Sequence, residues 1–270
     1  MFQTISQENR FIKLAKSPLP PDVLLPISFG GVERISQPFE YRVNVVSSNT
    51  SIDPKTVLHQ PMTIEIATPG RQTPRYFNGI INHFRGGSID QGRRRYEVTL
   101  VPWFKLLDHT SGCRIFLGET VLDIFKKVCK EHDFYDFKQA GVMGKHLAHE
   151  QNTQYRETTF QFLQRLLEEE GIFYFFHHEK DKHIMILADQ ADIHQACVSP
   201  EIIYNSGSER GHQYAITEWD RNYSLYSGLH SNVDYNYENP SKGLQGEHQN
   251  KAKLPIAKNY ETYDYPIAEL

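Results

Sequence analysis

Glu168, Glu169 and Glu170 are three consecutive carboxylates, and paired carboxylates are what general acid–base chemistry and cation binding use. Their position argues for a different role. They close an amphipathic helix, where the macrodipole is already negative. Arg165 stands three and four residues before Glu168 and Glu169, close enough for local pairing worth roughly 0.2–0.5 kcal/mol each. Solvent suffices for Glu168. Glu170 projects beside the apolar stripe, so its partner is expected from another element or another subunit. With Gly171 as a left-handed stop, the expected structural or interface residues are Arg165, Glu168, Glu169, Glu170 and Gly171. No catalytic residue is expected among them.

Other residues have types that carry chemistry. His146, His149 and Glu150 are metal-ligand types, but a zinc site needs further convergent ligands and no recurrent spacing supplies them. No metal and no cofactor is expected. His177, His178 and His183 lie at the mouth of a hairpin, where His178 and His183 can face each other, and read as solvated polar residues. Asp108, His109 and Ser111 contain the types of a hydrolase triad, yet sequence neighbours do not adopt its geometry unaided, and no Gly-x-Ser-x-Gly elbow exists. Cys113, near Arg114 and His109, could be an activated thiol; a buried structural cysteine is expected instead. Arg93, Arg94 and Arg95, joined by Arg71, Arg75 and Arg85, read as a mixed charged surface. A net charge of −4 gives no reason to expect nucleic acid or an anionic membrane.

These residues must be positioned by a mostly β chain. The 15 Tyr and 16 Phe suit pleated, half-buried surfaces. Strands are expected over 23–29, with a turn at Gly30-Gly31, and over 38–46, where Phe39, Tyr41, Val43 and Val45 alternate with polar residues. Met62, Ile64 and Ile66 repeat that pattern. Residues 76–84 and 96–101 flank GGSIDQG, read as the connection of a long hairpin, and strands at this spacing suggest a small barrel or sandwich. The period then changes. Thr120 caps a helix whose apolar face is Val121, Leu122, Phe125, Val128 and Cys129. Residues 141–151 read as a loop. Thr158 and Gln161 form a capping box, so a helix is expected from Thr159 with Phe160, Phe162, Leu163, Leu166 and Leu167 on one stripe. After Gly171, Ile172–Phe176 reads as a strand buried on both faces, paired in a hairpin with 184–188. Strands over 202–204 and 213–219 follow, and 241–253 reads as loop.

Three cysteines, widely spaced, make no disulfide framework and fit a reducing compartment of synthesis. No apolar run approaches the roughly 20 residues that span a bilayer. The N-terminus MFQTISQENRF shows neither a basic nor a hydrophobic leader region, so export without a signal peptide is expected.

Several runs, in order along the chain, resemble the valine-glycine repeat (VgrG) spike proteins of type VI secretion and the wider phage tail-hub family of T4 and Mu. They are ISFGGVERISQPFEYRV, RYFNGIINHF with YEVTLVPWFKLLDHTSGCRIF, TQYRETTFQFLQRLLEEEGIFYFF, HIMILADQ and YETYDYPIAEL. The resemblance implies a mainly β, α+β fold with two small barrel-like antiparallel β domains joined by a helical connector. The expected division is 1–112 for the first β domain, 113–171 for the connector and 172–270 for an incomplete second β domain. The family's hub is a homotrimer whose duplicated domains form a pseudo-sixfold ring. It implies a structural role at the base of the spike, capping a hexameric Hcp tube and joining a puncturing tip, effectors and baseplate components. Relatives continue past the DYP segment into an OB-fold and a β-helical needle, which these 270 residues do not contain. Assembly in the cytoplasm followed by export through the machine is implied, without enzymatic activity and without stable membrane insertion by this portion. The contrasting expectation is a β-barrel enzyme or a metal- or ligand-binding protein using the His or Glu clusters.

Overall fold

Strict alternation builds the first sheet. Strands β1 (Ile12–Lys16), β2 (Leu25–Arg34), β3 (Gln37–Ser47), β4 (Pro61–Ile66), β5 (Arg75–Asp90) and β6 (Arg93–Val101) pair antiparallel in the order β1-β4-β5-β6-β3-β2. The computed structural model describes residues 6–67, 74–194, 203–204, 215–216, 218–235, 239–250 and 259–265. In β3, Phe39, Tyr41, Val43 and Val45 are all buried while Glu40, Arg42 and Asn44 face solvent. The period of two therefore places one face in the core. The sheet curls until its two edges approach: Leu14 and Leu24 share the core beneath it, and the Arg10 guanidinium donates to the Pro26 carbonyl at 3.0 Å.

Two glycine readings are corrected. Gly30 and Gly31 lie within β2, opposite Arg42 and Tyr41, and the chain reverses after Arg34. Gly31 is required by close packing, since a Cβ there would stand 2.3 Å from Tyr41 Cδ1. GGSIDQG is likewise mostly strand, because β5 runs through to Asp90. Only Gln91 and Gly92 turn, both at positive φ (48° and 75°), as a tight two-residue hairpin requires.

The second core of this unit is helical. Around it lie α1 (Trp103–Leu106), β7 (Ser111–Glu119), α2 (Val121–Glu131), β8 (Phe137–Gly141), β9 (His149–Thr158), α3 (Thr159–Glu169), β10 (Phe173–His178) and β11 (His183–Ala188). α2 is capped by Thr120 as expected, and it buries Val121, Phe125, Val128 and Cys129 together with Ile124. β7 pairs with β9 antiparallel, while β8 joins β11 in parallel beside the β10–β11 hairpin. The expected loop over 141–151 is thus only 142–148. β9 was hidden because its residues HEQNTQYRET are polar on both faces, and Asn152 and Gln154 are among its buried ones. β10 is buried less evenly than expected: Tyr174 is fully buried, whereas Phe173 and Phe175 are partly exposed. Phe176 packs against both cores.

The chain divides into compact units at Met1–His194 and Gln195–Leu270. Within the second, β12 (Ile203–Tyr204) pairs in parallel with β13 (Ala215–Ile216). β14 (Leu229–Asp234) lies between antiparallel β15 (Leu244–Gln249) and parallel β16 (Glu261–Asp264). β15 replaces the loop expected there; with mostly exposed polar residues it carries no apolar alternation to read. The rest of the 202–204, 213–219 and 241–253 readings falls partly outside the described residues.

Candidate interface site

The site is built on the C-terminal end of α3. Its N-terminus follows the capping box: the Thr158 hydroxyl accepts from the Gln161 N–H at 3.1 Å and donates to Asp108 at 2.8 Å, and Gln161 Oε1 accepts from the Thr158 N–H. Phe162, Leu163, Leu166 and Leu167 are buried along one stripe. Gly171 ends the helix at φ +68°. Arg165 donates to Glu169 at 3.0 Å and, with its other arm, to Glu157 at 2.7 Å and the Thr153 carbonyl at 3.1 Å. The expected local pair is therefore also a tie from α3 to β9. Glu168 is exposed.

Glu170 finds its partners within the chain. Its Oε2 accepts from His146 Nδ1 at 2.5 Å and its Oε1 from His149 Nε2 at 2.6 Å. The other ring nitrogen of His146 reaches Asp189 Oδ2 at 3.2 Å. Asp189, just past β11, also accepts the backbone N–H groups of Met143 at 3.0 Å and Gly144 at 2.7 Å. These side chains are 9% (His146), 14% (Glu170), 18% (His149) and 9% (Asp189) exposed. Burial works against the His146 imidazolium, but its bonds to Glu170 and Asp189 and their charges outweigh it, so its pKa stands above the ordinary imidazole value. Burial raises the Glu170 carboxyl, and the bonds from His149 and His146 reverse this and hold it below its usual range. The Met143 N–H does the most to hold the Asp189 carboxyl low, against burial and with help from Gly144 and His146.

The histidines weighed as metal ligands thus serve an acidic helix end. Both ring nitrogens of His146 are turned to carboxylates, and among the described residues no group of three or more His, Cys, Asp or Glu is arranged to hold a metal ion.

A second polar cluster joins the two cores of this unit. His183 Nε2 accepts from the Trp103 N–H at 3.0 Å, so its Nδ1 donates to Asn78 Oδ1 at 2.7 Å. Asn78 in turn donates to Thr63 at 2.7 Å. His178 Nδ1 accepts from the Asn78 N–H at 3.1 Å, and its Nε2 lies 2.9 Å from the Tyr41 hydroxyl, which donates to Glu33 at 2.6 Å. Burial pushes His178 down to about 4 and His183 to about 3. The reading of these two as solvated is corrected: His183 is 2% exposed and His178 is half-buried, because the hairpin closes over the first sheet and covers the pair. His177 alone remains exposed.

The family described as phage tail baseplate hub (GPD) matches residues 32–269. The chain belongs to that family. This hub chain is 34% identical over 263 residues to the type VI secretion system spike protein VgrG1c of Pseudomonas aeruginosa, covering 97% of the chain and 36% of that protein. It is also 34% identical over 266 residues to VgrG1b of the same organism, covering 97% and 35%. The hub chain thus spans about a third of the length of these curated relatives. An E. coli component of the type VI secretion system, structurally similar to T4 bacteriophage tail proteins gp27 and gp5, aligns with a TM-score of 0.58 at 28% identity, over 67% of the hub chain and 49% of that chain. The Francisella PdpA–VgrG complex shares the fold at 12% identity, with a TM-score of 0.53 over 92% of the hub chain and 40% of its own.

The remaining candidates are placed apart. In the hub chain Asp108 pairs with Lys105 at 2.9 Å and Thr158, while His109 approaches Asn82 at 3.4 Å; no triad forms with Ser111. Cys113 is exposed on β7 rather than buried, since it alternates with Phe116's inward side of the ribbon, and of the two cysteines among the described residues Cys129 is the buried one. Arg94 is spent on the carbonyls of Gly87 and Thr50, and Arg71 lies outside the described residues. Asp189 was missed: nothing local marks a carboxylate 43 residues from the histidine it serves. The available signal was the unpaired acid of the helix end together with two histidines three apart.

Proposed function

We propose that this chain is the hub portion of a trimeric type VI secretion spike, a structural part that caps the hexameric Hcp-type tube and links it to a puncturing tip and effectors. The observation that carries this reading is the hub-family match over residues 32–269 together with the 34% identity to VgrG1c over nearly the whole chain. Its working parts are surfaces rather than a catalytic pocket, and it acts without a cofactor. In this reading residues 1–112 form a first β domain, 113–171 the connector and 172–270 part of a second β domain. Arg165, Glu168, Glu169, Glu170 and Gly171 hold the connector's end in shape beside the subunit interface. The protein assembles in the cytoplasm and leaves through the machine. No helix among the described residues is long and apolar enough to cross a membrane.

Analytical ultracentrifugation of the chain, and its co-sedimentation with a purified hexameric tube protein, test this directly. Trimers that bind tube ends at three chains per hexamer are expected. A chain that stays monomeric at high concentration and leaves the tube unbound would overturn the reading.

A further inference from the structure

The segment 142–148 between β8 and β9 has no regular structure and is held at one end of the α3 site. Asp189 takes the Met143 and Gly144 N–H groups, and His146 reaches back to Glu170 and Asp189 together. The segment carries two conspicuously exposed apolar side chains, Met143 at 74% and Leu147 at 61%. A neutral imidazole has one N–H and one lone pair. His146 has a carboxylate oxygen at each ring nitrogen, so both bonds exist together only in the imidazolium. Loss of one proton turns one of them into a contact between a lone pair and an anion.

We propose that His146 is a proton-operated pin: as imidazolium it clamps the 142–148 segment to Glu170 and Asp189, and on deprotonation it releases the segment and the Met143 and Leu147 side chains it presents. The groups facing His146 are Glu170 at the end of α3 and Asp189 after β11, with His149 on β9 bound to the same Glu170; Lys145, its neighbour on the segment, is exposed, and Glu169 is engaged by Arg165. His149 also donates to Glu170, so that carboxylate keeps one partner when His146 lets go, while Asp189 gives up the Met143 and Gly144 N–H groups as the segment leaves it. Release is therefore local to the segment and leaves α3 in place. The raised His146 pKa agrees with this direction: the pin is closed at mildly acidic pH and opens as pH rises through that value. The inference does not depend on the hub reading.

The test uses the whole 270-residue chain. NMR of the imidazole carbons gives the His146 midpoint, and amide exchange, corrected for intrinsic rates, gives the protection of Met143 and Gly144 against that of Ile124 in α2. The His146 midpoint is expected above the ordinary value of about 6.5. Above it, Met143 and Gly144 should lose protection by up to about tenfold per pH unit, as one linked proton requires, with Ile124 unchanged. Asp189→Asn should lower the midpoint and flatten this dependence. A wild-type midpoint at or below about 6.5, or protection that stays constant while His146 titrates, would overturn the pin; neither readout depends on a variant that folds.

Discussion

His178 and His183 are directly opposite each other across the β10–β11 hairpin, and both are bonded to Asn78 on the neighbouring sheet. One asparagine thereby orients both rings: the buried His183, whose Nε2 accepts from the Trp103 N–H and whose Nδ1 donates to Asn78, and the half-buried His178. Burial depresses both, to about 4 and about 3.

Acid should destabilise the protein through this pair. A buried neutral histidine binds fewer protons than in the unfolded chain, so stability falls as pH drops below about 6.5, by up to about 1.4 kcal/mol per pH unit for each histidine. The loss levels off only near pH 4 for His178 and near pH 3 for His183. Calorimetric melting across pH 3 to 8 checks this; a midpoint that is flat or rising from about pH 6.5 down to 4 would contradict it.

Asn78→Ala should cost about 2–4 kcal/mol, since it leaves the buried His183 Nδ1–H and the buried Thr63 hydroxyl without the side chain they bond. His177→Ala, one residue from His178 but exposed, should change stability by less than about 0.5 kcal/mol. Urea titration of the two variants measures the contrast.

Glu170→Ala should cost about 1–3 kcal/mol, because it removes one side of a half-buried ionic network and leaves His146 and His149 facing a void. The pH window follows from the two shifts. Glu170 sits below its usual value, so its contribution is present above about 4.5 and is lost as pH falls through the lowered value. His146 sits above its usual value, so its contribution is full below about 6.5 and is lost as pH rises through the raised value. The cost of the substitution should therefore peak between those limits. Chemical denaturation at pH 5.5 and pH 8.5 compares the two regimes.

Two glycines should respond differently to alanine. At Gly171 a Cβ meets nothing within 4 Å, so the cost is that of the left-handed backbone alone, about 1–2 kcal/mol. At Gly141 a Cβ would lie 2.5 Å from Ala188 Cβ and 2.9 Å from Ile193, so β8 and β11 must separate. Overpacking there should cost about 1–3 kcal/mol and disturb the segment that His146 holds. Equilibrium unfolding measures both costs, and broadening of the Met143 and Gly144 amide signals, expected in Gly141→Ala only, distinguishes the two.

The amino-acid sequence by itself determined what short-range chemistry controls. Thr158 and Gln161 set the start of α3 and Gly171 its end, because caps and positive φ act within four residues. Alternation in β3 placed Phe39, Tyr41, Val43 and Val45 in the core, because a strand's period of two needs no partner to be read. The tertiary structure decided everything that depends on which distant elements meet. β9, polar on both faces, became a strand only because β7 lies beside it and Arg165 ties it to α3. His183 became a core residue, and His178 a half-buried one, because their hairpin folds onto the sheet that carries Asn78. Glu170, whose local sequence shows an acid with no partner, is satisfied by His146 and His149 because β9 and the segment before it pass the end of α3, a juxtaposition that packing alone fixes.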